Sequence, residues 1–476
     1  MSGARRCYQV AFKRYLSRSL YTHAYRDPKP GDKVVVGMSG GVDSSVAARL
    51  LANQDYDLSA IFMRNWDTRD ESGTDKGCEW EKDWEDVQRV CNSLGIPCTM
   101  IDLSREYWNR IFQPALDVWE SGSTPNPDVW CNREIKFGAL LEHLPVNPTT
   151  GVSWFATGHY ARKGWSSHGR PQLLSAKDQT KDQSYYLSSI SEQGLSRALF
   201  PIGEFTKVQV RELARKYQLE TAERPESMGL CFVGERGKFS RFLNSYLQPK
   251  PGPIIDFTTQ NVIGNHAGLW TYTIGENAKV AGQPFKTFVS HKDPIKNAIY
   301  VVPGSSHQAL LEHRVICKDW KWIWNDSPPP GISEPAGFRA AVKVRHRQDN
   351  QTCIAKIAQD KSLEIITDEP MRGVSPGQVA ALWDGDWCLG CGVIASTGNS
   401  LLQSRQIIHD DPMNPPRTAT QCNQVQKQKK LTSTSRGKRS PDHSGFHKRS
   451  LKLQSLQQIS RDQSSKAPVG EIMLDG

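Results

Sequence analysis

Two cysteines, one carboxylate and a run of glycines and hydroxyls are the side chains here whose types and spacing could do chemistry. In Thr124-Pro125-Asn126-Pro127-Asp128-Val129-Trp130-Cys131-Asn132 two prolines stiffen a short stretch ahead of a helical pattern. This spacing predicts a thiol near a helix N-terminus, with a carboxylate three residues before it. The positive end of the helix dipole favours the thiolate, the reactive form of cysteine, and Asp128 could take a proton from a substrate or from the thiol. A second thiol, Cys231, stands in Gly229-Leu230-Cys231-Phe232-Val233-Gly234. Glycines on both sides would let that sulfur swing between partners, although a structural cysteine packed beside Phe232 would read the same way. Two isolated thiols about a hundred residues apart lack the close spacing of a zinc site and suit persulfide chemistry, in which one carries a sulfur and the other resolves or receives it. The other nine of the 11 cysteines read as small buried hydrophobes.

The third feature is Ser39-Gly40-Gly41-Val42-Asp43-Ser44-Ser45, between the apolar run Val34–Val36 and the helical pattern that starts at Val46. A strand, a glycine turn and a helix start bring free backbone N–H groups, two hydroxyls and the positive end of a dipole to one place, which is what a phosphate needs. Neither G-x-x-x-x-G-K-[ST] nor G-x-G-x-x-G is written here. An ordinary strand-to-helix turn is the bland alternative.

The elements that must position these groups follow from hydrophobic patterning. Apolar runs at Val34–Val36, Leu58–Met63, Pro97–Ile101 and Trp154–Thr157 alternate with helical patterns at Asp83–Leu94, Glu134–Leu144 and Val208–Tyr217. This predicts an α/β fold with a parallel sheet covered on both faces and a nucleotide at the carboxyl ends of its strands. After Pro249-Lys250-Pro251-Gly252-Pro253 the pattern turns to short β-like pieces broken by Gly, Pro and Asn. We expect a catalytic domain over 30–245, a small central β-rich domain over 246–305 and a C-terminal β-barrel-like domain over 306–400.

The net charge of +10 on 476 residues resides in the ends. Residues 1–26 carry six basic side chains and no acid, and residues 401–476 carry 13 basic against 6 acidic, so the body between them is slightly acidic. Nucleic-acid affinity in that body must come from local patches. Residues 1–29, rich in Arg, Ser and Tyr with Val10, Phe12, Leu16 and Leu20 at helical spacing, read as a mitochondrial transit segment. A disordered basic extension is the alternative. Residues 401–476, with almost no aromatics, read as a disordered tail. No run approaches the ~18 consecutive apolar residues of a membrane span. An odd cysteine count without regular spacing points to a reducing compartment.

Taken in order, the glycine loop, Thr-Pro-Asn-Pro-Asp-x-x-Cys-Asn, Ala156-Thr157-Gly158-His159-Tyr160, Lys181-Asp182-Gln183-Ser184-Tyr185-Tyr186, Gly-Leu-Cys-Phe-Val-Gly-Glu-Arg and Pro376-Gly377-Gln378 resemble the tRNA-specific 2-thiouridylases, of the PP-loop ATP pyrophosphatase superfamily. The resemblance covers about residues 33–396, and with the N-terminal segment it is greatest to the mitochondrial type. It implies a Rossmann-like PP-loop domain and ATP-dependent 2-thiolation of the wobble uridine of tRNA, with sulfur from a persulfide. ATP would be bound by Gly37, Met38, Ser39, Gly40, Gly41, Val42, Asp43, Ser44, Met63 and Gly158, with Asp43 near Mg2+. Asn126, Pro127 and Asp128 would contact the target base. Cys131 matches the nucleophile and Cys231 the persulfide carrier. His159, Lys181, Asp182, Gln183, Arg345, His346 and Gln378 would touch tRNA. The implied partners are that tRNA and a sulfur-donor protein, a cysteine desulfurase or relay, in the mitochondrial matrix. Without the resemblance, His159 could be a structural side chain, Lys181-Asp182-Gln183 a polar turn and Arg345-His346-Arg347 a solvated face.

Two positions depart from the family pattern. Met228 stands where Thr is usual, and Gly275-Glu276-Asn277 replaces Gly-Gln-Arg, removing a cation and adding an acid. A PP-loop ligase or amidotransferase, and a non-catalytic RNA-binding protein, are the competing functions; neither has a use for both thiols.

Overall fold

A computed structural model describes residues 27–66, 79–145, 153–225 and 239–398. The transit-like segment, the basic tail and the stretch carrying Met228 and Cys231 lie outside them. Strand and helix alternate at first, through β1 (Lys33–Met38), α1 (Val42–Leu51), β2 (Asp57–Arg64), α2 (Glu79–Leu94), β3 (Cys98–Asp102), α3 (Pro127–Cys131) and β4 (Trp154–Thr157). A hairpin of β5 (Arg162–Trp165) and β6 (Pro171–Leu174) follows, then the short β7 (Ala198–Leu199) and α4 (Lys207–Lys216).

The first sheet is parallel throughout, in the order β3-β2-β1-β4-β7. Alternate residues of β1 serve its two faces. Val35 joins one large core with Tyr107, Ile111 and Phe155, while Val34 and Val36 join another with Val87 and Val90. A strand buried on both sides must be apolar along its length, which is why Val34–Val36 reads as a continuous run rather than an alternation. Each such valine contributes about 1.5–3 kcal/mol through burial. The chain leaves β1 for β2 on one side and returns as β4 on the other, so the carboxyl ends of β1 and β4 form the switch point where ligands bind in such sheets.

Four strands, β8 (Gly252–Asp256), β9 (Val262–His266), β10 (Thr287–Asp293) and β11 (Ala298–Pro303), form a second sheet in the order β10-β11-β8-β9. The third comprises β12 (Leu311–Trp322), β13 (Phe338–Lys343), β14 (Gln351–Ile357), β15 (Leu363–Arg372), β16 (Val379–Asp384) and β17 (Trp387–Thr397). These run β12-β15-β14-β13-β16-β17, and β12 pairs with β17 to close the barrel. Full closure leaves no unpaired edge.

Two details differ from the sequence expectations. The β5–β6 hairpin, which lies within the α/β part of the sequence, extends the barrel sheet by pairing Leu173 and Leu174 with Cys388 and Trp387. The helix expected over Glu134–Leu144 is wound wide from Asn132 to Ala139, then resumes over Leu140–Glu142. Phe137 and Gly138 leave helical geometry there, Gly138 at ψ −105°.

Candidate active site

The glycine loop joins β1 to α1. Gly41 precedes the first helical turn and supplies no side-chain cap, so the N–H groups at that turn remain available to an anion. The serines shape the loop instead. Ser44 Oγ donates to the Gly41 carbonyl at 3.1 Å and accepts from Ser39 N at 3.2 Å, and Ser45 Oγ donates to the same carbonyl at 2.9 Å. Gly158, just past β4, sits so close to the helix start that a Cβ there would lie 2.6 Å from Ser44 N. Met63 is half-buried near the end of β2 and packs against the large core. This cradle of bare backbone and hydroxyls suits a nucleotide polyphosphate.

Asp43, in the first turn of α1, is not idle. Lys207 Nζ donates to its two oxygens at 2.7 and 2.8 Å, and Tyr160 Oη donates to Oδ1 at 2.9 Å. Mg2+ that is held mainly through phosphates and water needs only one or two protein carboxylates, so Asp43 fits such an ion. Sequence reasoning missed Lys207, yet a sign was present. Thr206 and Gln209 form a capping box that marks a helix start, and a lysine in that first turn opposes the helix dipole. Arg224 was missed as well. Its Nη1 donates to the Gly40 carbonyl at 2.7 Å, and its guanidinium pairs with Asp83 and Asp86 of α2.

The second loop leads into α3. Asn126 is its N-cap, accepting from Val129 N at 3.3 Å, with Pro127 in the first turn. Cys131 is therefore the fifth residue of the helix rather than a residue near its start. A dipole effect fades within the first turn, so the expected dipole activation of this thiol does not apply. Cys131 is 6 % exposed and packs with Val129 and Ile135. Asp128 does lie in the first turn. Burial pushes its carboxyl up from the ordinary value, and the Lys136 ammonium pulls it back.

Four anchors hold this loop. Gln378 Nε2 donates to the carbonyls of Pro125 at 2.8 Å and Thr124 at 3.1 Å. Gly377, at φ +89°, lets Pro376 O accept from Thr124 N; a Cβ on Gly377 would fall 2.9 Å from Thr124. Lys292 of the central sheet, buried to 7 % exposure, donates to Thr124 Oγ1 at 3.2 Å. Tyr185 Oη accepts from Asn126 Nδ2 at 3.4 Å and donates to Val379 O at 2.8 Å.

Several residues expected at a tRNA surface point inward. His159 is 8 % exposed, with Nδ1 2.8 Å from Thr157 Oγ1 and Nε2 3.4 Å from Lys136 Nζ. Asp182 is 3 % exposed and accepts from Ala176 N, Ser184 N and Ser184 Oγ, which uses its carboxylate within its own turn. Gln183 Oε1 accepts from Tyr160 N at 2.9 Å. Arg345 Nη2 donates to the carbonyls of Ile274 and Gly373, joining the central sheet to the barrel. Lys181 stays half-exposed, and His346 stacks on Tyr186 at 4.3 Å between ring centres. Among the cysteines read as bland, Cys91, Cys317, Cys353, Cys388 and Cys391 are buried and Cys98 is half-buried.

Comparison with known proteins supplies the rest. Residues 32–235 match the family described as tRNA methyl transferase HUP domain, residues 240–303 the tRNA methyl transferase PRC-barrel domain and residues 312–394 the aminomethyltransferase beta-barrel domain. The tRNA-specific 2-thiouridylase MnmA of Bacillus velezensis is 41% identical over 373 residues, which cover 77% of this chain and 96% of that protein. That of Bacillus subtilis is 42% identical with the same coverage. That of Alkaliphilus oremlandii is 41% identical over 364 residues, 75% of this chain and 95% of that protein. Matched at this identity along nearly the whole of those proteins, the chain belongs to the tRNA-specific 2-thiouridylase family.

Proposed function

We propose that this protein replaces the C2 oxygen of the wobble uridine of tRNA with sulfur, using ATP. The observation that carries the reading is the double use of Gly158-His159. Gly158 packs on Ser44 of the phosphate loop, and His159 reaches Lys136, five residues past Cys131, so a nucleotide and a base would meet at one place.

A urea-like carbonyl oxygen is a poor leaving group, and an adenylate is a good one. In the first step the uridine O2 bonds to the α-phosphorus of ATP, pyrophosphate departs from the loop of Gly37–Ser44, and Asp128 takes the N3 proton. In the second, the outer sulfur of a Cys231 persulfide bonds to C2 and AMP leaves with the original oxygen. Cys131 thiolate then attacks the inner sulfur, freeing the thiocarbonyl and leaving a Cys131–Cys231 disulfide for a cellular thiol to reduce. Mg2+ would travel with the ATP phosphates and supply charge neutralisation beside Asp43. The sulfur comes from a cysteine desulfurase or relay protein. The composition of residues 1–29 supports import into the mitochondrial matrix; fractionation of cells expressing the chain with and without those residues tests that.

The reaction itself is tested by nucleoside mass spectrometry on unmodified tRNA incubated with the protein, Mg-ATP and a persulfide donor. We expect 2-thiouridine with the full chain and none with Cys131→Ala or Cys231→Ala. AMP release without thiolation would favour a ligase, and no AMP release would favour a binding protein.

A further inference from the structure

We propose that Lys136 is a catalytic residue of the adenylation step, a cation that meets the α-phosphate as the uridine oxygen attacks it. The inference rests on the thiolation reading and adds a residue that neither the motifs nor the spacing singled out.

The first argument is position. Lys136 lies in the wide-wound segment Asn132–Ala139 that continues α3. With ordinary α winding, a residue five past Cys131 would be turned about 140° away from it. Wide winding, in which bonds run from i to i+5, brings that residue back over the same side, and such turns recur at functional sites. The Lys136 ammonium is 3.4 Å from His159 Nε2. His159 follows Gly158, whose backbone floors the phosphate loop at Ser44. The charge of the ammonium is also felt at Asp128, whose carboxyl it draws down. Lys136 thus stands between the place for the nucleotide and the place for the base, where the α-phosphate must be when the two react.

The second argument is charge. Lysine can only donate, so His159 Nε2 must be the acceptor and its proton resides on Nδ1, directed at Thr157 Oγ1. Burial holds this imidazole well below its ordinary value, so it stays neutral. Among the described residues no carboxylate comes within 4.0 Å of Lys136. A half-buried ammonium that hydrogen-bonds a neutral ring and makes no close ion pair among the described residues is a site that an anion would complete. In the step concerned, the O2–Pα bond forms, the bond from Pα to pyrophosphate breaks, and the N3 proton passes to Asp128. Charge on the α-phosphate oxygens is carried through this change, and a fixed cation beside them acts without reorganising. His159 is on this account a positioning residue that holds the ammonium in place.

The test is single-turnover pyrophosphate release with unmodified tRNA and Mg-ATP, no sulfur donor being present, for the wild type, K136A and K136R, with melting temperature and ATP affinity measured in parallel. Loss of one such electrostatic partner typically costs about 10²–10³ in rate. We expect K136A to lose at least that lower factor while binding ATP within about threefold of the wild type, and K136R to retain more activity. Ethylammonium in the buffer should restore K136A by at least about tenfold, a response that a purely structural lysine would not give. Adenylation by K136A near the wild-type rate, or a loss that ethylammonium leaves untouched, overturns the proposal. If the wild type itself releases no tRNA-dependent pyrophosphate, the thiolation reading falls instead.

Discussion

Gln378 and Asn126, 252 positions apart in the chain, meet side chain to side chain at 3.4 Å. The barrel thereby grips the loop that carries Asp128 and Cys131, and the same Gln378 also satisfies two of its backbone carbonyls. The family resemblance implies a tRNA contact for Gln378. Its hydrogen bonds show that it shapes the loop of Asp128 and Cys131.

Replacing Gln378 with Ala should therefore harm thiolation through the loop. Two carbonyls lose their donor, and each buried orphan costs about 1–3 kcal/mol. We expect a lowered denaturation midpoint, a lowered thiolation rate and unchanged ATP affinity. A variant with wild-type stability that fails only in tRNA binding would assign Gln378 to the RNA alone.

Lys207 and Asp43 make a second pair to test. With no phosphate beside them, the ammonium of one neutralises the carboxylate of the other. On the proposed reading, bound Mg-ATP would draw Asp43 to the metal and Lys207 to the β- and γ-phosphates, so the lysine would serve in both conditions. Lys207→Gln should weaken ATP binding by roughly tenfold, about 1.4 kcal/mol. Because the two side chains touch, Lys207→Gln and Asp43→Asn should be non-additive in a double-mutant cycle of stability by about 0.5–3 kcal/mol. Additive effects would mean that the pair is incidental.

Asp128 sets a pH dependence. Burial raises its carboxyl above the ordinary value of 3.8, so the folded state holds that proton more tightly than the unfolded chain does. Its contribution to stability is then complete in acid, and is lost as pH rises through the folded value. Asp128→Asn should raise the melting temperature at neutral pH, with a gain that vanishes below the ordinary carboxylate range, and should abolish AMP formation. Removing Lys136 takes away the charge that draws Asp128 down, so the acid limb of the rate profile should move to higher pH in Lys136→Ala. A melting temperature for Asp128→Asn that tracks the wild type at every pH would show that the carboxyl is not strained by burial.

Much of this was legible in the sequence because the signals are local. A doubly covered strand must be a continuous apolar run, as Val34–Val36 is, and a glycine turn between strand and helix announces a phosphate. What was not legible depends on partners far away. Nothing local in Pro171–Leu174 says that it pairs with Trp387 and Cys388, and Lys136 looks like any helical lysine until His159 is found beside it. The family resemblance implies tRNA contacts for Asp182 and Arg345, and a polar side chain in a motif looks the same whether it faces RNA or a backbone carbonyl. The structure shows both satisfied internally.

Glu276, where the family usually has Gln, can be read in the same light. By sequence it is an acid added to an expected RNA surface. In the structure it is half-buried, with Lys292, Arg345 and Lys279 as the cations that act on it, and burial raises its carboxyl despite them. Lys292 has the complementary problem. Burial pushes its ammonium down to about 8, and Glu276 is the charge that works against this. Because that lysine also holds Thr124, the unusual acid supports the catalytic loop from the central sheet. Burial outweighs the cations around Glu276, so Glu276→Gln should raise the melting temperature at neutral pH, where the folded carboxylate is ionised at a cost. The folded Lys292 value is depressed, so as pH rises through about 8 the ammonium loses its proton, Glu276 loses that counter-charge, and the gain of the variant should grow. Melting curves from pH 6.5 to 9.5 for the wild type and Glu276→Gln would reveal that divergence. A gain independent of pH would make Arg345, which stays charged throughout, the partner of Glu276.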